Sequence, residues 1–181
     1  MIILLVILAV VAFSFIIGVY NGLVSKRNQT DNAFAGIDVQ LKKRYDLIPN
    51  LVETVKGYAK HEESVLARLV ELRNTPYSQL SDTQKTELDS TLRQLVSGLK
   101  VTVEQYPDLK ASANFMHLQR TLNETEEQLA AARRSFNAAV TDYNTSLQTF
   151  PTNLVAGMFG FNQKNLLEAA AQERENVSVR F

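Results

Sequence analysis

The 181-residue chain contains no cysteine and no tryptophan, and only two histidines, four prolines and seven glycines. Absent cysteine removes disulfides, thiolate zinc sites, iron–sulfur clusters and cysteine nucleophiles together, and says nothing about redox compartment. Seven glycines leave little for phosphate-cradling loops, and none of G-x-x-x-x-G-K-[ST], G-x-G-x-x-G or G-x-S-x-G occurs. A surplus of charge is missing too: nineteen basic side chains balance nineteen acidic ones, so nothing favours nucleic acid as a partner. His61 and His117 lack a second histidine at i+4, and Tyr58 and Asn114 stand where a Glu-x-x-His di-metal motif needs glutamate. The expectation is a non-enzyme without metal, cofactor or small-molecule substrate. Four Asn-x-Ser/Thr sequons, at Asn28, Asn123, Asn144 and Asn176, are chance matches in an Asn- and Thr-rich helical chain.

Charge is also absent from one place in particular. The 25 residues from Met1 to Ser25 carry none, and the apolar run from Ile2 to about Tyr20 is long enough to cross the ~30 Å hydrocarbon layer of a bilayer as a helix. A cleaved signal peptide would begin with positive charge and end in small residues, whereas the first charge here is Lys26 and Tyr20-Asn21-Gly22 is a poor A-x-A match. A buried core helix would carry a polar stripe, and this run has only Ser14. No cysteine follows that could take a lipid. A retained single-pass anchor in the inner (plasma) membrane is therefore expected, in contact with membrane lipid. Lys26, Arg27, Lys42, Lys43 and Arg44 lie beyond it, which places the bulk of the chain in the cytoplasm by the positive-inside rule.

Beyond the anchor the pattern is helical, with no useful strand-period alternation before the last few residues. A first stripe (Ile37, Leu41, Ile48, Leu51, Val55, Ala59, Leu66, Leu69, Leu72) continues from the membrane span to about Arg73, with Asn21-Gly22 as a possible bend and Pro49 as a kink. Asn74-Thr-Pro-Tyr77 reads as a turn, and Ser81-x-x-Gln84 as a capping box opening a second helix along Leu88, Leu92, Leu95, Leu99 and Val103. Gly98 within it points to a close approach by a neighbouring helix. A third helix, Leu109 to Phe150, carries a seam at Phe115, Leu118, Leu122, Thr125, Leu129, Ala132, Phe136, Ala139, Tyr143, Ser146 and Phe150. A seam of this kind buries only against partner helices, as in a coiled coil, and at ~1.5 Å per residue the helix is roughly 60 Å long. Thr152 or Asn153 caps a short helix through Met158, Gly160 breaks it, and Phe159 and Phe161 plug one end of the bundle. The alternating tail, Val177 to Phe181, lies extended along a helix or a neighbouring subunit.

The fold expected is all-α: an N-terminal transmembrane helix continuing into an elongated antiparallel bundle of three long helices plus one short C-terminal helix. Its parts are an anchor over 1–24, the bundle over 25–161 and an extended tail over 162–181. One polar cluster, Asp38 to Asn50, combines a basic run, a proline and an asparagine. Either its polar groups repair the backbone at Pro49 while Lys42, Lys43 and Arg44 are solvated, or Lys42, Lys43, Arg44, Asp46 and Asn50 form a docking patch. Phe159, Phe161 and Phe181 are the candidates for contact between copies. Glu62, Glu63, Glu124, Glu126 and Glu127 read as solvated faces.

The stretches Tyr20-Asn21-x-Leu23-Val24, IDVQLKKRYDLIPNLVETVKGYAKHE (Ile37 to Glu62), YPDLKASANFMHLQ (Tyr106 to Gln119) and FPTNLVAGMFGF (Phe150 to Phe161) resemble the bacterial LemA family, in the same order over nearly the whole chain. The family usually has Trp-Ser where this chain has Phe34-Ala35, and a proline before the closing Val-x-Phe. The resemblance implies a membrane-anchored antiparallel helical bundle with no catalytic residues to carry over. Some members are held as lipoproteins on the outer side of the membrane, and relatives occur among magnetosome membrane proteins, which by analogy implies a membrane-organising role. A self-associating scaffold is the function expected, with an adaptor for a membrane protease or signalling partner as the alternative.

Overall fold

No proline interrupts the chain before Pro49, and a single helix, α1 (Ile2–Tyr45), occupies that whole stretch, passing Asn21-Gly22 without a break. The computed structural model describes residues 1–56, 63–103 and 107–167. The remaining helices are α2 (Ile48–Lys56), α3 (Glu63–Arg73), α4 (Asp82–Val103), α5 (Pro107–Lys110), α6 (Ala113–Gln148) and α7 (Thr152–Met158), with one 3₁₀ turn at Tyr77–Gln79. Among the described residues there is no strand. The chain divides into two units, residues 1–34 with 133–181, and residues 35–132, so α1 and α6 each contribute to both.

In the first unit α1 and α6 pair antiparallel. Leu23 packs with Tyr143 and Leu147, Lys26 bonds Asp142 at 2.7 Å, and Phe34 meets Phe136 edge-on at 5.7 Å, so numbers rise on one helix as they fall on the other. The turn after α6 brings α7 back over this pair, burying Val155 and Ala156 while Leu154 and Met158 face outward. α7 is the expected short helix, but Thr152 is its first residue and no side chain caps it. Gly160 ends it at a φ of +70°, a left-handed conformation that glycine adopts without strain.

The segment after Gly160 then runs extended along α6. The Asn144 amide donates to the Lys164 carbonyl (2.8 Å) and accepts from the Lys164 N–H (2.9 Å), and Asn137 does the same with Leu167 (2.9 Å each way). Seven helical residues and three extended residues both advance about 10 Å, which is why two asparagines two turns apart meet two residues three apart. Lys164 also reaches Thr30 and Asp31 of α1, tying the segment to both helices. The tail Val177 to Phe181 lies outside the described residues.

The second unit differs from the sequence expectation at Pro49. A kinked but continuous helix to Arg73 was expected; instead α1 stops at Tyr45, α2 restarts at Ile48, and α2 packs against α3. The cause is chemical. Pro49 has no N–H for the Tyr45 carbonyl and its ring crowds that carbonyl, but in the first turn of a new helix neither matters. The Leu47 carbonyl accepts from Leu51 N–H at 3.0 Å and so opens α2. Ile48, Leu51, Val52, Leu69, Leu72, Leu92, Leu95, Val96, Phe115, Leu118 and Leu122 form the core here.

The capping box at α4 forms as expected: Ser81 N–H donates to Gln84 Oε1 at 2.9 Å and Gln84 N–H to Ser81 Oγ at 3.3 Å. The third helix begins at Ala113, after the separate turn α5, and Phe150 is 75% exposed rather than in the seam. Gly98 differs as well. Among the described residues a Cβ built there meets nothing within 4 Å, so none of their helices requires glycine at this position. Gly98→Ala should therefore raise the unfolding free energy by about 0.5–1 kcal/mol, read from the midpoint of a urea melt.

Candidate functional site

Three groupings in the Ala35–Ala132 unit involve the polar cluster around Pro49. The first is a ring of alternating charges. Arg44 Nη1 lies 3.0 Å from Asp89 Oδ1, Arg93 Nη2 2.6 Å from Asp89 Oδ2, Arg93 Nη1 3.4 Å from Glu126 Oε1, and Arg44 Nη2 closes the ring on Glu126 Oε2. The Arg44 and Asp89 side chains are 4% and 3% exposed. Arg44 is thus buried between α1, α4 and α6, and it is neither solvated nor available to a surface patch. Glu126 likewise belongs to this ring rather than to a solvated face.

The sequence did hold a signal for this. Ile37, Leu41, Arg44 and Ile48 follow the four-three-four spacing of one helix face, and Arg44 fills the seam position left empty between Leu41 and Ile48. Asp89 stands three residues before Leu92 on a buried face, and Glu126, four after Leu122 and three before Leu129, stands at the edge of one.

The second grouping surrounds a pair of tyrosines, Tyr45 and Tyr77, with ring centroids 5.2 Å apart. Lys85 Nζ lies 5.3 Å and Lys42 Nζ 6.0 Å from the centre of the Tyr77 ring, a cation–π arrangement. Lys42 also pairs with Asp46 one turn on, and Tyr45 donates to the carbonyls that end α3, at Arg73 (2.9 Å) and Thr75. The Tyr77 hydroxyl donates to the Asp38 carboxylate at 2.9 Å, and Lys85 bonds the same carboxylate at 2.9 Å. Burial alone would raise the Asp38 pKa, but the hydrogen bonds from Lys85 and Tyr77, with the charge of Lys85, outweigh it and hold the carboxyl below its ordinary value.

Burial first, and the Asp38 carboxylate second, push the Tyr77 phenol well above its ordinary value of 10.0. A phenol whose pKa is raised on folding stabilises the fold fully below the unfolded value and less as pH climbs past it. The stability difference between wild type and Tyr77→Phe should accordingly shrink between pH 8 and pH 11, measured by paired denaturant melts. An unchanged difference would show that Tyr77 is hydrated.

The third grouping is a groove of about 370 Å³ lined by Leu47, Asn50, Glu53 and Thr54 on one side and Asn114, His117, Leu118 and Thr121 of α6 on the other. Asn50 is exposed at its edge, so of the five residues expected as a patch, Asn50 lines this groove, Lys43 is exposed, Lys42 and Asp46 pair beside the tyrosines, and Arg44 is interior. His117 lines the groove as well, and a lone histidine gave no signal of it. Among the described residues no three of His, Asp and Glu converge as a metal site.

The expected aromatics fall in the other unit. Phe161 is partly buried against Leu23, Tyr143 and Ala156, with the Arg27 guanidinium 5.5 Å from its ring centre. Phe159 is 51% exposed, its ring edge-on to Tyr20 at 4.9 Å; Phe161 meets the same Tyr20 at 5.6 Å. Phe181 lies outside the described residues. On the same unit, α1 is apolar and long enough to cross a membrane, and the large side chains from Ile2 to Phe15 are 50% exposed or more.

Comparison with known proteins adds a frame to this geometry. The sequence model of the LemA family matches residues 33–181. The chain is similar to Protein LemA of Metamycoplasma hominis, 28% identical over 179 residues that cover 98% of this chain and 82% of that protein. It is also similar to Magnetosome protein MamQ 2 of Paramagnetospirillum magneticum, 24% identical, covering 87% of this chain and 68% of that protein. Magnetosome protein MamQ of Magnetospirillum gryphiswaldense is 22% identical, covering 80% and 62%.

Proposed function

Because this chain belongs to the LemA family, we propose that it is a membrane-anchored, non-catalytic helical scaffold that associates with its own copies and organises other membrane proteins. The observation that carries this reading is the stretch Ile2–Gly18, an unbroken apolar helix that is exposed at every residue but the half-buried Ile16, joined without interruption to packed helices from Val19 onward. In this reading residues 1–24 cross the inner membrane once. Lys26, Arg27, Lys42 and Lys43 keep the following 157 residues on the cytoplasmic side, with 25–161 as the bundle and 162–181 as a tail. The chemistry at the interior supports a structural rather than a catalytic role: the charges of the ring pair with one another. Relatives named as magnetosome proteins support an organising role by analogy.

Extraction in mild detergent followed by mass photometry should give one defined oligomer. Monomers alone at micromolar concentration would remove self-association from the proposal.

The groove beside Asn50 favours a second reading, an adaptor that presents α2 and α6 to a protease or signalling partner. A photo-crosslinking residue placed at His117 should then trap one discrete heterologous band, lost with Asn50→Arg while the oligomer stays intact. Crosslinks only between copies of the chain would favour the scaffold instead.

A further inference from the structure

We infer that the protein touches the bilayer a second time, through α7: this helix and its flanks form an interfacial foot lying in the headgroup layer beside the point where α1 leaves the membrane. The inference rests on the reading of Ile2–Gly18 as a span and adds a contact that the span does not require.

The residues that make the foot are apolar and uncovered. Phe150 is 75%, Leu154 58%, Met158 71% and Phe159 51% exposed. Leu154 and Met158, four apart, share one face of α7, while Val155 is buried and Ala156 packs against Leu23 of α1 and Tyr143 and Leu147 of α6. A seven-residue helix therefore exposes its largest apolar side chains and hides its small ones. Isolated exposed apolar residues need no explanation, but a contiguous group does.

Continuity says what covers this group. Phe159 and Phe161 both stack edge-on against Tyr20, and Tyr20 stands at the end of the apolar run of α1, the position where tyrosine anchors a span at the lipid–water boundary. Because α1 and α6 pair antiparallel, with Leu23 against Leu147, the turn after Gln148 falls level with Tyr20. The foot and the exit of the span are one surface. Farther from the membrane the character of the unit changes to paired charge, Lys26 with Asp142 and Lys164 with Asp31. A segment with Phe and Leu on one face at that depth partitions into the boundary between headgroups and acyl chains.

The lack of tryptophan makes a direct test possible, since one introduced indole is the only one in the chain. The full chain carrying Met158→Trp, and separately Phe13→Trp, is reconstituted into phosphatidylcholine vesicles with bromines placed either near the headgroup or deep in the acyl chain. Shallow bromines should quench Met158→Trp strongly and deep ones weakly, and Phe13→Trp should show the reverse. Leu154→Trp on the same face should follow Met158→Trp, while Arg134→Trp, exposed on α6 about 20 Å from its end, should not be quenched. If Phe13→Trp is quenched and neither α7 indole is, the foot is refuted and the span survives. A short-wavelength α7 emission that no bromine reaches would assign the face to a second copy of the chain and equally refute the foot. Absence of quenching at Phe13→Trp would refute the span and the foot with it.

Discussion

Arg44→Ala is expected to destabilise the Ala35–Ala132 unit by about 3–5 kcal/mol, because it leaves the Asp89 carboxylate buried without its Arg44 partner. Asp89 is 3% exposed and shares its two oxygens between Arg44 and Arg93. Arg44→Lys should recover only part of the loss. A lysine is a single point of charge, whereas the two Nη ends of Arg44 reach Asp89 and Glu126 at once. Replacing the whole ring, as Arg44→Met with Asp89→Leu, Arg93→Met and Glu126→Leu, should be less damaging than Arg44→Ala alone, since the four charges of the ring leave the interior together. Urea melts of the three proteins decide the matter. A loss below about 1 kcal/mol for Arg44→Ala, the range of exposed pairs, would mean that water reaches the ring.

The largest effect of all should follow from a change in the apolar part of α1. Ile7→Arg with Val10→Arg puts two charges at the middle of the proposed span, at about 2.5–3.5 kcal/mol each by insertion measurements. The unaltered chain should stay with membranes after alkaline carbonate washing, and the double variant should move to the supernatant. Intact mass of the membrane-bound protein separates an anchor from a cleaved leader: it should include Met1–Ser25, and a chain lacking them would overturn the anchor. Neither substitution touches the buried ring or the groove, so the helical content of the released protein should match the rest of the chain.

Much of this fold was legible in advance, and the failures share a cause. The capping box at Ser81 and Gln84, the turn at Asn74 to Tyr77 and the break at Gly160 are local, and local chemistry fixed them. The α6 seam was right at Phe115, Leu118, Leu122, Thr125, Leu129, Phe136 and Tyr143, and its other positions drifted from Ala132 onward. A strict seven-residue repeat slips about 20° per heptad against a straight helix, so four heptads move the buried face by nearly one residue. Val140 and Leu147 are buried where Ala139 and Ser146 were expected, and Phe150 falls outside. Pro49 was misread because the stripe resumes in phase on both sides, and phase does not distinguish a kink from the first turn of a new helix. The docking patch was built on composition, which cannot tell the buried Arg44 from the exposed Lys43. Angular position on α1 could have done so.

The pairing of Asn137 and Asn144 with Leu167 and Lys164 works as a vernier between two rulers of different pitch. Each amide reads only main-chain atoms, so Asn165 and Leu166 between the contacts are free in identity but fixed in number. One residue inserted between the asparagines would turn the second about 100° away from its mate, and one inserted in the strap would shift its contacts about 3.4 Å. Length, more than side-chain chemistry, is what this part of the molecule has to preserve.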